Sequence, residues 1–262
     1  MSYLSLNHVW KEYGDQVILE SLNNNVKKGD FITIIGASGC GKTTFLKMLL
    51  GTETPSRGQI LLEGSVIPAE PSAERGIVFQ RYSVFPHLTV LQNVILAKEL
   101  KQSPILGRLF GSQKRAAVQE ALEMIEAVGL QNATKKYPHE LSGGMQQRLA
   151  LAQSLIKKPR ILLLDEPFGA LDPGIRSDMH ALVRNLWREH HLTIFMITHD
   201  IKEGFHLGTR LWVFDKDRHD PQAPNAYGAQ ITYDLPVGDI CEKTEAKIDS
   251  AINPEQSLAT TA

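Results

Sequence analysis

The sequence predicts an α/β fold with a block of helices inserted into it. Three observations carry this reading. A strand-like run, residues 31–35, passes through a glycine-rich loop into a helical segment, Lys42–Leu50, that stops at Gly51. A continuous aliphatic run, residues 161–164, has the character of a buried parallel strand. Between them, from Thr89 to about Lys158, the pattern turns helical in three segments, residues 90–100, 114–128 and 143–156.

The remaining elements follow in order. Residues 3–10 and 17–26 carry short apolar or alternating runs, broken at Gly14-Asp15 and Gly29-Asp30, and read as strands ahead of the one at Phe31. Residues 59–63 and 76–80 are again strand-like, the second ending at Gln80. After the aliphatic run come a helix over 175–190, strands over 193–198 and 210–214, a polar proline-bearing loop over 215–228, and a final strand over 230–235. Beyond Pro236 the chain turns polar and net acidic, with little to pack, and reads as a loose helix or frayed tail. The expected organisation is one domain over 1–235, with a helical subdomain inserted over about 89–158, and a tail over 236–262.

Composition narrows the function classes. The 262 residues are 42% hydrophobic and 22% charged, which suits a packed core. A net charge of -1 gives no basic excess, so no nucleic-acid partner is expected. Two cysteines, Cys40 and Cys241, fit a reducing compartment and supply no disulfide framework. No apolar run approaches the roughly 20 residues that cross a bilayer, and the N-terminus lacks the basic start and apolar core of a signal peptide. The expectation is a soluble, cytoplasmic chain whose membrane role comes through a partner. The histidines outside the motifs form no metal-ligand spacing.

Three motifs carry chemistry. The loop Gly36-Ala37-Ser38-Gly39-Cys40-Gly41-Lys42-Thr43 matches G-x-x-x-x-G-K-[ST] between a strand and a helix, the context that motif requires. Its glycines permit a tight turn whose N–H groups face phosphate, and Lys42 reaches the β- and γ-phosphates. The Thr43 hydroxyl is placed to ligate Mg²⁺, with Thr44 as a further phosphate contact. Cys40 reads as a small filler, with a reactive thiol beside helix-terminal N–H groups as the alternative. The aliphatic run over 161–164 ends in Asp165 and Glu166: Asp165 is placed to hold Mg²⁺, and Glu166 to polarise the attacking water as a base. The third motif is Leu141-Ser142-Gly143-Gly144-Met145-Gln146-Gln147-Arg148. A Ser-Gly-Gly turn opening a helix offers a hydroxyl and backbone N–H groups to an anion. A second phosphate-binding turn in one chain implies two surfaces closing on one nucleotide.

On these motifs the chain resembles the ATP-hydrolysing subunit of an ATP-binding-cassette (ABC) transporter, most like the nitrate, sulfonate and taurine importer type. The resemblance covers about residues 3–235. It implies a P-loop NTPase core with a mixed, largely parallel sheet, an N-terminal antiparallel β subdomain and an inserted helical subdomain. It implies ATP and Mg²⁺ as ligands. Residue by residue, Gln80 matches the glutamine that senses Mg²⁺ and water. Tyr13, which alone would read as a surface hairpin tyrosine, matches the aromatic that stacks on adenine. Ser142, Gly143 and Gly144 match the turn that binds the γ-phosphate held by the opposing subunit. Asp172 matches the residue coupling the two sites, and His199 the histidine contacting the γ-phosphate. The implied partners are a second copy of the chain in a homodimer, integral membrane permease subunits, and indirectly a solute-binding protein. The implied location is the cytoplasmic face of the inner membrane. An exporter or lipid-extraction ATPase is the alternative within the same family. Residues 81–88, Arg-Tyr-Ser-Val-Phe-Pro-His-Leu, are the expected docking segment for the permease, with a core-facing loop as the other reading.

Overall fold

Alternating apolar and polar residues at the N-terminus fold into a long hairpin, β1 (Leu4–Tyr13) and β2 (Gln16–Val26), joined at Gly14-Asp15. The chain continues through β3 (Phe31–Gly36), α1 (Lys42–Leu50), β4 (Arg57–Leu62), β5 (Ser65–Val66), β6 (Arg75–Val78), α2 (Val90–Gln102) and α3 (Gly111–Ala127). It then forms α4 (Gly143–Leu155), β7 (Ile161–Asp165), α5 (Pro173–His190), β8 (Thr193–Ile197), α6 (Ile201–Leu207), β9 (Arg210–Asp215) and β10 (Gln230–Pro236). The computed structural model describes residues 2–80, 84–102, 108–218, 222–223 and 225–237. Most of the expected tail, and Arg81 to Ser83 of the expected docking segment, lie outside the described residues. The chain forms two compact units, one from Met1–Pro71 with His191–Ala262 and one from Ser72–His190.

The first unit holds two sheets. One is antiparallel, in the order β2-β1-β4-β5. In the other, β10, β9, β3 and β8 lie side by side. There β3 runs parallel to both β8 and β9, and β10 is antiparallel to β9. Every residue of β3 and β8 is buried, which is why both read as unbroken apolar runs rather than alternating ones. Phe45 of α1 anchors the core. Its ring lies 6.1 Å from Phe195, 6.1 Å from Trp212 and 5.5 Å from Phe214, all four fully buried. The seven-residue α6 packs Ile201 and Phe205 against Ile35, Leu211 and Val213. A strap after β9 returns along β2: Asn225 O accepts from Val17 N (3.0 Å), Ala229 N donates to Ile18 O (2.9 Å), and Glu20 N donates to Ala229 O (2.9 Å).

In the second unit β6 and β7 pair in parallel, Arg75 opposite Ile161 and Val78 opposite Leu164. Helices α2, α3 and α4 pack on one another. Ala117, Ala121 and Ile125 of α3 repeat every fourth residue and are fully buried, the stripe expected of a helix with one face inward. Asn93 of α2 is fully buried and organises the preceding loop. Its amide nitrogen donates to the carbonyls of Phe85 (3.1 Å), Leu88 (2.9 Å) and Thr89 (3.0 Å), while its oxygen accepts from Phe85 N (2.8 Å). The expected strand 76–80 is corrected to Arg75–Val78. Gln80 stands two residues beyond it, exposed in a bend, because the ladder with β7 ends at Val78.

Candidate functional site

Each unit sends its candidate residues out from the carboxyl ends of adjacent parallel strands, where ligands bind in open α/β sheets. In the first unit β3 runs into the loop beginning at Gly36, and Ile34 of β3 pairs with Ile197 of β8. Thr198 N extends that ladder to Ile34 O at 3.1 Å, and exposed His199 follows immediately. The turn carrying His199 is pinned on both sides. The Thr198 hydroxyl donates to Glu203 and accepts from Asp200 N (3.0 Å), and the Asp200 carboxylate caps α6 through Glu203 N (3.2 Å).

The glycine loop has the local properties of an anion cradle. Gly36, Gly39 and Gly41 all have positive φ, and Gly41, the residue that starts α1, sits at 93°. A Cβ on Gly41 would lie 2.7 Å from Leu19 and 2.8 Å from Ile18 of β2, so only glycine fits there. No side chain caps α1, and its first turn holds no acidic residue, which leaves a positively polarised helix end facing the loop. Lys42 is buried and folds back over the loop, its Nζ donating to Gly36 O (2.7 Å) and Ala37 O (2.8 Å). Its ammonium is thus held by neutral carbonyls, a positive charge retained for an anion. Thr43 is exposed and Thr44 half-buried. Cys40 is buried, and burial pushes its thiol up, outweighing the neighbouring Lys42 ammonium.

Tyr13 closes the β1–β2 hairpin and is 46% exposed. Lys11 Nζ lies 4.8 Å from the centroid of its ring and pairs with Glu53 at 2.7 Å. Burial, and then the nearby Glu53 carboxylate, raise the Tyr13 pKa above the usual phenol value.

In the second unit Val78 pairs with Leu164, so Gln80 and the Asp165–Glu166 pair leave adjacent strand ends. Asp165 and Glu166 are half-buried. Glu166 adopts φ 48°, a left-handed conformation unusual for a side chain of its size. Ser142 starts α4 in an extended conformation, its hydroxyl accepting from Met145 N at 3.4 Å, and the first turn of α4 also lacks an acid. Ser142 and Gly143 are exposed, and Gly144 is buried against α5, where a Cβ would meet Ile175 at 2.5 Å. That contact sets the Ser-Gly-Gly turn beside the start of α5, which follows the exposed Asp172 and has Pro173 at its first position. Phe85 is 41% exposed with His87 beside it, while Val84 and Leu88 are half-buried, so the loop presents Phe85 outward.

Sequence reading missed Lys11 and Glu53, which surround Tyr13, and Asn93, which shapes the loop at Phe85. Lys11 stands two residues before Tyr13 on one strand face, a signal the period of a strand supplies. Glu53 lies in a loop and carries no such signal.

Strand, glycine loop and uncapped helix define a P-loop nucleotide-binding protein. The ABC transporter family profile matches residues 19–169. The aliphatic sulfonates import ATP-binding protein SsuB of Bacillus anthracis is 39% identical over 212 residues, 79% of each chain. The nitrate import ATP-binding protein NrtD of Synechocystis sp. is 38% identical over 223 residues, 85% of this chain and 78% of the relative. The dimeric structure of MJ0796, a bacterial ABC transporter cassette, superposes with a TM-score of 0.71 at 27% identity, over 90% of this chain and 100% of that one. This chain therefore belongs to the ABC transporter family, as its ATP-binding ATPase component. The resemblance to sulfonate and nitrate import subunits is borne out, and so is the fold class.

Proposed function

We propose that the chain powers a bacterial importer of a small polar solute of the nitrate and sulfonate class, binding ATP across a homodimer. The observation that carries this is a pair of helix N-termini, α1 and α4, each fed by glycines and each without an acid in its first turn. The names of the two import relatives support the solute class.

In this reading Lys42 and the loop N–H groups bind the β- and γ-phosphates, and Tyr13 stacks on the base. Thr43, Gln80 and Asp165 would hold Mg²⁺, which when bound neutralises charge on those phosphates. Glu166 takes the proton of the attacking water, and His199 contacts the γ-phosphate. Ser142 to Gly144 bind the γ-phosphate held by the second copy, and Asp172 couples the two sites. Different affinities of ATP and ADP for closed and open dimers then move the permease. Exposed Phe85 and His87 supply the docking surface for permease subunits, which hold the chain at the cytoplasmic membrane face. A solute-binding protein delivers the solute to that complex.

Among the described residues no helix is long and apolar enough to cross a membrane, so a membrane role runs through such partners. Purification of the chain with its membrane partners tests the proposal. The complex reconstituted in vesicles should take up nitrate or an aliphatic sulfonate when ATP and Mg²⁺ are supplied on the side bearing this chain. Uptake independent of ATP, or outward movement only, overturns the importer reading.

A further inference from the structure

The ring of Tyr13 is held from behind. Lys11 lies two residues earlier on β1, so both side chains leave the same face of the strand. Its Nζ stands 4.8 Å from the centroid of the Tyr13 ring. The same ammonium pairs with Glu53 at 2.7 Å and donates to Thr54 O at 3.0 Å. Only 8% of Lys11 is exposed, a setting that a lysine tolerates when its charge is fully engaged. Glu53 is in turn tied to the last turn of α1, its backbone N–H donating to Lys47 O at 3.3 Å. One cation thus braces an exposed aromatic ring, and its carboxylate partner reaches the helix that follows the phosphate loop.

We propose that Lys11 is a positioning residue for the nucleotide base: it occupies one face of the Tyr13 ring, leaves the opposite face as the stacking platform, and through Glu53 fixes that platform relative to α1. The proposal rests on the reading of Tyr13 as the base-stacking residue. A tyrosine free to rotate about χ1 would have to be ordered each time a nucleotide arrived. A braced ring has lost that freedom beforehand, so base binding is favoured by preorganisation. A cation on the rear face also draws on the ring quadrupole, which stiffens the arrangement further.

Two ligands separate this role from damage to the loop. ATP uses both base platform and phosphate loop, whereas inorganic tripolyphosphate uses the loop alone. Dissociation constants for both, measured by calorimetry on the full chain, should show Lys11→Met weakening ATP by about 3- to 30-fold, the range a partly buried cation–π contact supports. Tripolyphosphate binding should be unchanged, and Lys11→Arg should restore most of the ATP affinity. Should Lys11→Met fail to fold, Glu53→Gln, at a more exposed position, should produce the same loss for ATP alone. Equal losses for the two ligands, or no loss for ATP, overturn the proposal. Tyr13→Ala tests the underlying reading separately. If it leaves the ratio of ATP to tripolyphosphate affinity unchanged, Tyr13 is not the base platform and both readings fall. If it lowers that ratio while Lys11→Met does not, the role of Lys11 alone is wrong.

Discussion

Glu166 carries the strongest local irregularity near the proposed chemistry. At φ 48° its backbone is left-handed, a conformation that costs a non-glycine residue about 1–3 kcal/mol. It comes one residue after β7 ends, so the kink falls where the chain leaves the strand. Phe168, two residues on, is buried with its ring 4.9 Å from that of His180 on α5, which fixes the chain just after the kink. Glu166→Gln keeps size and shape but removes the proposed base. Steady-state ATP hydrolysis should fall by about 10²- to 10⁴-fold, with nucleotide binding retained in a fluorescent-nucleotide titration. Near-normal turnover would take Glu166 out of the role. The identities of Glu166 and Asp165 were legible in the sequence, because an aliphatic run ending in two acids is a local pattern. The left-handed backbone was not, since nothing in the run of residues around Glu166 marks it off from an ordinary strand end.

Among elements, the strand–loop–helix units were read with boundaries near those observed, since glycines and aspartates mark their ends. The two omissions have different causes. β5 has only two residues and no period to detect. α6 has seven, with Gly204 at its middle weakening any helical pattern. Its start was nevertheless written in the chain: Asp200 and Glu203 have the spacing of a capping box, and Asp200 does cap Glu203 N. Gln80 was placed at the end of a strand because β6 continues apolar to Phe79, yet the ladder stops at Val78. α4 offers a direct test of packing behind the Ser-Gly-Gly turn. A methyl at Gly144 would stand 2.5 Å from Ile175 Cγ2, so Gly144→Ala should push α4 off α5. A loss of about 1–3 kcal/mol is expected in chemical denaturation, and Ile175→Ala in the same chain should recover part of it. An unchanged midpoint for Gly144→Ala would mean that α5 yields freely at this contact.

At the scale of the molecule, the second unit is an insertion: the chain leaves the first unit at Pro71 and returns at His191. Lys42 and Ser142 therefore belong to different units. The homodimer proposal gives a sharp expectation for mixed subunits. Lys42→Ala and Ser142→Arg chains each damage both composite sites and should not dimerise with ATP. Mixed together, they form dimers in which one site loses both groups and the other keeps both, so ATP-dependent dimerisation measured by light scattering should return in part. If mixing restores nothing, single cysteines at Ser38 and Ser142 crosslinked in the presence of ATP decide the matter, because only a site built in trans joins two chains.

The strap along β2 has a bearing on solubility as well as on architecture. β2 is the outermost strand of its four-stranded sheet, and such a strand displays unpaired N–H and C=O groups that invite another chain to add on. Asn225 and Ala229 consume those groups at Val17, Ile18 and Glu20, and the Arg218 ion pair with buried Glu20 holds the strap in place. Ala229→Pro removes the N–H that meets Ile18 O at 2.9 Å. Turbidity on mild heating should then rise earlier than for the unaltered chain, and an unshifted onset would show that this edge was never at risk. If the chain meets its own copy through phosphate as proposed, the strap closes off a rival way of meeting it, strand against strand, that no nucleotide would govern.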